Sequence, residues 1–124
     1  MNEILFVSIG AILGANSRFI IHNKLEKLNL SKNFLILIIN TFASFCLGLF
    51  LSLVEQLRDL TYYYELILFF SIGFFGSLST FSSFVYDLYD LCLQLQFFRA
   101  LKLFIISVSI GIIACTFGFF LGNQ

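Results

Sequence analysis

Hydrophobic positions dominate four long runs of the chain, and polar and charged positions gather in three short stretches between them. Residues 34–54 are a charge-free run of 21, residues 66–86 another of 21, and residues 103–122 a third of 20. Residues 4–21 form an 18-residue run whose polar cluster, Asn16, Ser17 and Arg18, lies near its end. A helix needs roughly 20 apolar residues to cross a bilayer. The pattern therefore predicts four transmembrane helices in a single all-α domain spanning residues 1–124. The first run has no Lys or Arg ahead of Arg18, so it lacks the basic start of a signal peptide and reads as a retained helix. No stretch alternates with the period of a strand, and there is no Pro-rich or Ser-rich linker and no long repeat.

Composition supports the bilayer as solvent. The 124 residues are 60% hydrophobic and 11% charged, where a soluble domain carries about 25% charge. The distribution of charge then suggests an orientation. Residues 22–33 carry Lys24, Lys27 and Lys32, and residues 87–102 carry Arg99 and Lys102. Residues 55–65 carry Arg58 alone, beside Glu55, Asp59 and Glu65. The basic residues of the loops divide five to one, which predicts that the first and third loops face the cytoplasm and both termini face outward.

Several chemistries find no support. Cys46, Cys92 and Cys115 are far apart in apolar surroundings, no CxxC occurs, and His22 is the only histidine. Transition-metal sites need clustered soft or imidazole ligands, so the cysteines read as small hydrophobes. There is no Ser/His/acid set, carboxylate pair or phosphate loop, and no enzyme is predicted. The acids Glu3, Glu26, Glu55, Asp59, Glu65, Asp87 and Asp90 all fall at the ends of the runs. A proton-coupled pump would place an acid or histidine within the membrane.

Three polar clusters inside the runs carry the remaining information. The first is GAILGANSRF, residues 10–19. Gly10 and Gly14 form a GxxxG face that lets helix backbones approach closely. Arg18 either snorkels to the headgroups or lines a cationic vestibule that attracts anions. The second is NTFAS, residues 40–44, where Asn40, Thr41 and Ser44 are spaced to share a helix face. An embedded amide must find a partner or water, so Asn40 makes an interhelical hydrogen bond or offers its NH₂ to an anion in a pore. The third is GFFGSLSTFSSF, residues 73–84. Its glycines, Gly73 and Gly76, and its five hydroxyls weaken a continuous helix. A broken membrane helix exposes carbonyls for cations, and amides and hydroxyls for anions. Phe81 and Phe84 lie three apart among Thr80, Ser82 and Ser83. An aromatic ring has a positive edge, and ring edges among hydroxyl donors suit a small, weakly polarizable anion.

These segments, in this order, resemble the CrcB/Fluc family of fluoride channels. GAILGANSRF is similar to the family's G-A-x-x-G-A-x-x-R frame, and LIINTFASFCLGL (37–49) to V-N-x-x-G-S-F-x-x-G. GFFGSLSTFSSF is similar to G-F-C-G-G-x-T-T-F-S-T-F, and SVSIGIIACTFG (107–118) to the last helix. The resemblance covers nearly the whole chain. It implies four helices with the third broken, and an antiparallel, dual-topology dimer with two fluoride pathways. Phe81 and Phe84 match the phenylalanines whose ring edges line the route, and Asn40 matches the pore asparagine. Ser82 and Ser83 match the hydroxyl track, with Thr80 beside them, and Arg18 matches the vestibule arginine. Gly76 and Ser79 match the positions whose backbone carbonyls hold a structural sodium ion at the dimer centre.

The chain departs from the pattern at several positions. Phe75 replaces a cysteine, Ser77 a glycine, Ser79 a threonine and Ala43 a glycine, and Asp87 stands where the family often has glutamate. Leu103 sits where a tyrosine would help line the polar track, which leaves Ser107 as its remaining member. A chain inserting equally in both orientations would have balanced loops, so the five-to-one bias points to one half of a heterodimer with an oppositely oriented homologue, as against a homodimer. The expected function is passive fluoride export across the cell (inner or plasma) membrane, protecting the cell from fluoride. The expected partners are fluoride, the second chain and lipid, with no nucleic acid. The rival readings are a small four-helix multidrug or metabolite exporter, which would need an acid within the first helix, and a subunit with no conduction of its own.

Overall fold

The computed structural model describes residues 2–124. Its elements are α1 (Asn2–Glu26), α2 (Lys32–Glu55), α3 (Tyr63–Leu66), a π-helical stretch (Ile67–Phe75), α4 (Gly76–Leu78), α5 (Phe81–Leu93) and α6 (Phe97–Gly122). Four helical segments are long and apolar enough to cross a membrane: α1, α2, the composite third span Tyr63–Leu93, and α6. The predicted all-helical, multi-pass membrane protein is therefore observed. Each helix outruns its charge-free core because terminal charged residues continue the backbone hydrogen bonding into the headgroup region. At 1.5 Å per residue the 25 residues of α1 reach about 37 Å, beyond a hydrocarbon core of about 30 Å. The third loop shrinks most. Residues 87–93 belong to α5, and only Gln94, Leu95 and Gln96 connect it to α6.

That extension corrects one expectation. Asp87, assigned from sequence to the end of a run, lies within α5 and is 7% exposed. Asp87 is thus the one buried acid among the described residues.

Large apolar side chains cover the outside, among them Ile4, Phe19, Phe98, Ile113 and Phe120. In hydrocarbon such exposure costs nothing, and helix association depends on close packing and interhelical hydrogen bonds. Glycines provide the closeness. The α1 glycines Gly10 and Gly14 lie against the backbone of Phe69 and Phe74, and a Cβ on Gly73 would meet the Val7 carbonyl oxygen at 2.7 Å. On the other side of the bundle, Gly48 of α2 lies against the Cys115 backbone, and Gly118 of α6 against that of Phe45. Gln56 Nε2, just past α2, donates to the Gly122 carbonyl at 2.9 Å and fastens the end of α6. The bundle is thus two glycine-lined pairs, α1 with the first half of the third span and α2 with α6.

The π-helical stretch has a packing reason. Its hydrogen bonds span five residues, so the wider turn brings side chains five apart nearer to one face than an α-helix does. Phe70 and Phe75 both pack on Phe50 of α2, with ring centroids at 5.1 and 5.9 Å. Phe69 and Phe74, also five apart, both present backbone to Gly10. A regular α-helix, with 3.6 residues per turn, would rotate one member of each pair away.

The third span is broken, as expected, at the C-terminal edge of the Gly76–Ser79 stretch. Gly73 lies in the π-helical stretch and Gly76 has φ −62° and ψ −34°, so both glycines are helical. The chain leaves the helix at Ser79 (φ −73°, ψ 154°) and Thr80 (φ −130°, ψ 109°), which are extended. Gly73 serves close packing against α1 rather than the break.

Candidate functional site

Two residues in extended conformation inside a membrane helix leave backbone groups without helical partners. Asn40, near the middle of α2, meets both polar groups of Thr80. The Thr80 N–H donates to Asn40 Oδ1 at 2.8 Å, and Asn40 Nδ2 donates to the Thr80 carbonyl at 3.1 Å. The side-chain amide thus stands in for a second peptide unit. Thr80 then caps the following helix. Its Oγ1 accepts from the Ser83 N–H at 3.3 Å and donates to Ser83 Oγ at 3.0 Å. Of the two readings of Asn40, the interhelical bond is made, and one N–H of its amide stays uncommitted in that pairing.

This junction lies between two concavities. An inner groove of about 190 Å³ runs between α2, α5 and α6, lined by Asn40, Ser44, Phe81, Phe84, Asp87 and Ser107 among others. A vestibule of about 420 Å³ lies on the α1 side, lined by Asn16, Arg18, His22, Lys32, Thr80 and Ser83 with apolar neighbours. Ile36 lines both, and Asn40 reaches Thr80 through the wall between them.

Phe81 and Phe84 are close, with ring centroids 6.4 Å apart and planes at 46°. Their environments differ sharply. Phe84 is buried at 9% exposure and stacks on Phe104 at 6.3 Å, whereas Phe81 is 77% exposed at the rim. The spacing 81, 84, 87 puts Asp87 on the same face of α5 as the two rings. On α6, Phe104, Ser107 and Gly111 line the groove at three- and four-residue spacing.

The expected site residues therefore divide between two spaces. Asn40, Phe81, Phe84 and Ser107 line the groove, whereas Arg18, Thr80 and Ser83 line the vestibule. Ser82 is exposed and lines neither concavity, so the expected Ser82–Ser83 track is not continuous in one chain. Thr41 also leaves the face assigned to it and looks toward an apolar groove with Phe42 and Ile110. At the break, Arg18 Nη1 approaches the Ser79 carbonyl at 3.5 Å, and Gly76 is exposed.

Sequence reasoning missed His22 and Lys32, which it left in a loop, and Phe104. Lys32 opens α2 and lies 5.2 Å from the Tyr86 ring centroid. No local signal brings either basic residue to Arg18. The four-residue step from Ser107 to Gly111 was the available signal for the α6 face. Cys46, Cys92 and Cys115 are free, and no cluster of three metal-ligating side chains occurs among the described residues.

The arrangement can hold an anion on the vestibule side. Arg18 and Lys32 supply charge there, and none of the lining residues is a carboxylate. The Ser83 hydroxyl, whose oxygen accepts from Thr80, keeps its proton to donate.

The family described as CrcB-like protein, Camphor Resistance (CrcB), matches residues 5–119. A protein named fluoride-specific ion channel FluC 2, from Prochlorococcus marinus (strain NATL2A), is 82% identical over 124 residues, which is 100% of both chains. One named fluoride-specific ion channel FluC 1, from Parasynechococcus marenigrum (strain WH8102), is 38% identical over 120 residues, covering 97% of this chain and 93% of the relative. A third, named fluoride-specific ion channel FluC, from Haemophilus influenzae (strain PittGG), is 40% identical over 91 residues, 73% of this chain and 70% of the relative.

Replacing Asn40 by Leu removes both bonds and orphans the Thr80 amide and carbonyl. The expected loss is about 1–3 kcal/mol of stability, read by thermal unfolding in detergent, together with faster hydrogen exchange at the Thr80 amide. Unchanged protection of that amide would show that Asn40 does not hold the break.

Proposed function

The chain belongs to the CrcB family, and we propose that it is a fluoride-specific channel that passively exports fluoride across the cell's inner (plasma) membrane and so protects the cell from fluoride toxicity. It is a channel and not an enzyme. The observation that carries this reading is the break itself, where the Asn40–Thr80 pairing sets Phe81 and Phe84 beside a cation-lined vestibule. Fluoride is small and strongly hydrated, so a narrow passage must replace its water shell. The donors at hand are the spare N–H of Asn40, the hydroxyls of Ser83 and Ser107, and the positive ring edges of Phe81 and Phe84. None is a rigid cage, and each binds weakly enough to release the ion. The route needs no coupled proton, because fluoride follows its own gradient.

The working unit is an antiparallel dimer. Phe81 at 77% exposure and the exposed Gly76 mark a face of the single chain on which a second copy or paired homologue would sit. That same face suits a structural sodium ion. In a continuous helix the Thr80 and Ser83 N–H groups would bond the carbonyls of Gly76 and Ser79. Here those N–H groups go to Asn40 Oδ1 and Thr80 Oγ1. Two neutral carbonyls are thereby released, which is the oxygen donor type that hard cations prefer. Each carbonyl keeps one long side-chain contact at 3.5 Å, Gly76 from Ser79 Oγ and Ser79 from Arg18 Nη1. When bound, sodium would neutralise facing carbonyls from the two chains and hold the breaks together. The charge bias of the loops supports a heterodimer.

Three measurements test this reading. Reconstituted in liposomes, alone or with a paired homologue, the chain releases fluoride to an ion-selective electrode. Phe81→Ile and Asn40→Asp each slow that release at least about tenfold, equivalent to about 1.4 kcal/mol of barrier. Absence of flux in both reconstitutions, or flux indifferent to both substitutions, rejects the channel assignment. The dimer in detergent melts at a higher temperature in sodium than in N-methylglucamine, and equal melting rules out the cation site. Tags on each terminus map to one side of the membrane in cells, whereas equal populations on both sides exclude the heterodimer.

A further inference from the structure

A further concavity adjoins the inner groove. It measures about 280 Å³ and is lined by Arg99, Lys102 and Asn33 with apolar neighbours. Asn33 and Leu103 line both spaces, so the two are adjacent. Arg99 and Lys102 lie three apart on α6 and share a face. Neither has a carboxylate partner, since the one ion pair among the described residues is Arg58–Glu55. Arg99 Nη1 donates to the neutral Gln96 Oε1 at 3.1 Å, which holds the guanidinium without cancelling its charge.

The backbone adds to this field. Both α2, which starts at Lys32, and α6, which starts at Phe97, turn their positive ends toward this side. Lys32 and Asn33 are consecutive, yet Lys32 lines the vestibule and Asn33 the basic groove. The first turn of α2 therefore divides two cationic mouths on one side of the protein. The Arg99–Lys102 mouth shares Asn33 and Leu103 with the groove that Phe84 and Asn40 line. The single carboxylate lining that groove is Asp87, which opposes an anion, and two cations at the mouth outweigh it.

We propose that Arg99 and Lys102 form the anion-loading mouth of the inner groove, raising the local fluoride concentration before the ion meets Phe84 and Asn40. The proposal rests on the reading of the inner groove as the fluoride route. It assigns the two side chains a steering role, and such roles act on rate and weaken as salt rises. A lipid phosphate would recognise the same pair of cations, so the test separates the two sources.

Initial fluoride efflux is measured from liposomes at about 10 mM and about 300 mM impermeant salt. Neutral phosphatidylcholine membranes are compared with membranes containing phosphatidylglycerol. The Arg99→Gln/Lys102→Gln variant is expected to lose roughly 3- to 10-fold of the flux at low salt and less than about twofold at high salt, in neutral membranes. Retained flux at high salt also shows that the variant is folded. The charge-preserving Arg99→Lys/Lys102→Arg variant keeps the parental rate. So does Lys27→Gln, which removes a charge from the first loop, outside both grooves. Equal flux for parent and Gln variant at low salt overturns the proposal. A deficit independent of salt overturns it in favour of a structural role, and a deficit confined to anionic membranes in favour of a lipid site. Parental flux tests the channel reading and the variant-to-parent ratio tests the mouth, so the two can fail separately.

Discussion

The pairing of one side-chain amide with one backbone peptide underlies the rest of this structure. Hydrocarbon cannot hydrogen-bond a peptide group, and each unsatisfied group there costs several kcal/mol. A membrane helix can therefore stop only where something replaces its bonds. Asn40 supplies one acceptor and one donor to Thr80, at 2.8 and 3.1 Å. That exchange lets Ser79 and Thr80 run extended and lets Thr80 cap α5. The new direction of α5 brings Phe84 and Asp87 into the groove and leaves Phe81 at its rim. The same exchange leaves the Gly76 and Ser79 carbonyls to long side-chain contacts alone, from Ser79 Oγ and Arg18 Nη1 at 3.5 Å. One polar residue on a neighbouring helix thus supports both faces of the break.

Asn40 can do this only if α2 is held in register with both halves of the bundle. The register comes from glycine seams rather than from hydrophobic burial, which drives little between helices in lipid. Gly10, Gly14 and Gly73 bring α1 against the π-helical stretch, and Gly48 and Gly118 bring α2 against α6. The π-helical stretch adds the lateral tie, because its five-residue alignment seats Phe70 and Phe75 together on Phe50. The third span is thereby gripped on its first half, and the break follows at the first point beyond that grip.

Electrostatics assigns the remaining polar groups. Arg18 and Lys32 gather on one side of the α2 N-terminus, and Arg99 and Lys102 on the other. These residues come from three helices, and their positions along the sequence do not announce the grouping. The charge bias of the loops does appear in sequence, and it belongs to the same physics. Three cations that make up that bias, Lys32, Arg99 and Lys102, also border the two concavities.

Much of this was legible in the order of residues. Four runs of 18 to 21 apolar positions predict four spans, because bilayer thickness and helix rise leave little choice. The polar cluster at residues 73–84 marks a broken helix, because hydroxyls and glycines at that depth need a reason. Asn40, Phe81, Phe84 and Arg18 stand out for the same cause, since polar or ring-edge chemistry inside hydrocarbon is costly unless used. The tertiary structure decided what local pattern could not. It narrowed the break to Ser79 and Thr80, because a partner on α2 compensates the lost bonds there. It also placed Asp87 inside a helix, sent Ser82 outward, and brought His22 and Lys32 beside Arg18. Each of those outcomes depends on where one helix packs against another. The sequence by itself determined which segments must leave water and which residues are too polar to be idle there. Only the packing of α1, α2 and α6 around the third span determined which of those residues meet, because a membrane-embedded polar group is settled by the partner across from it.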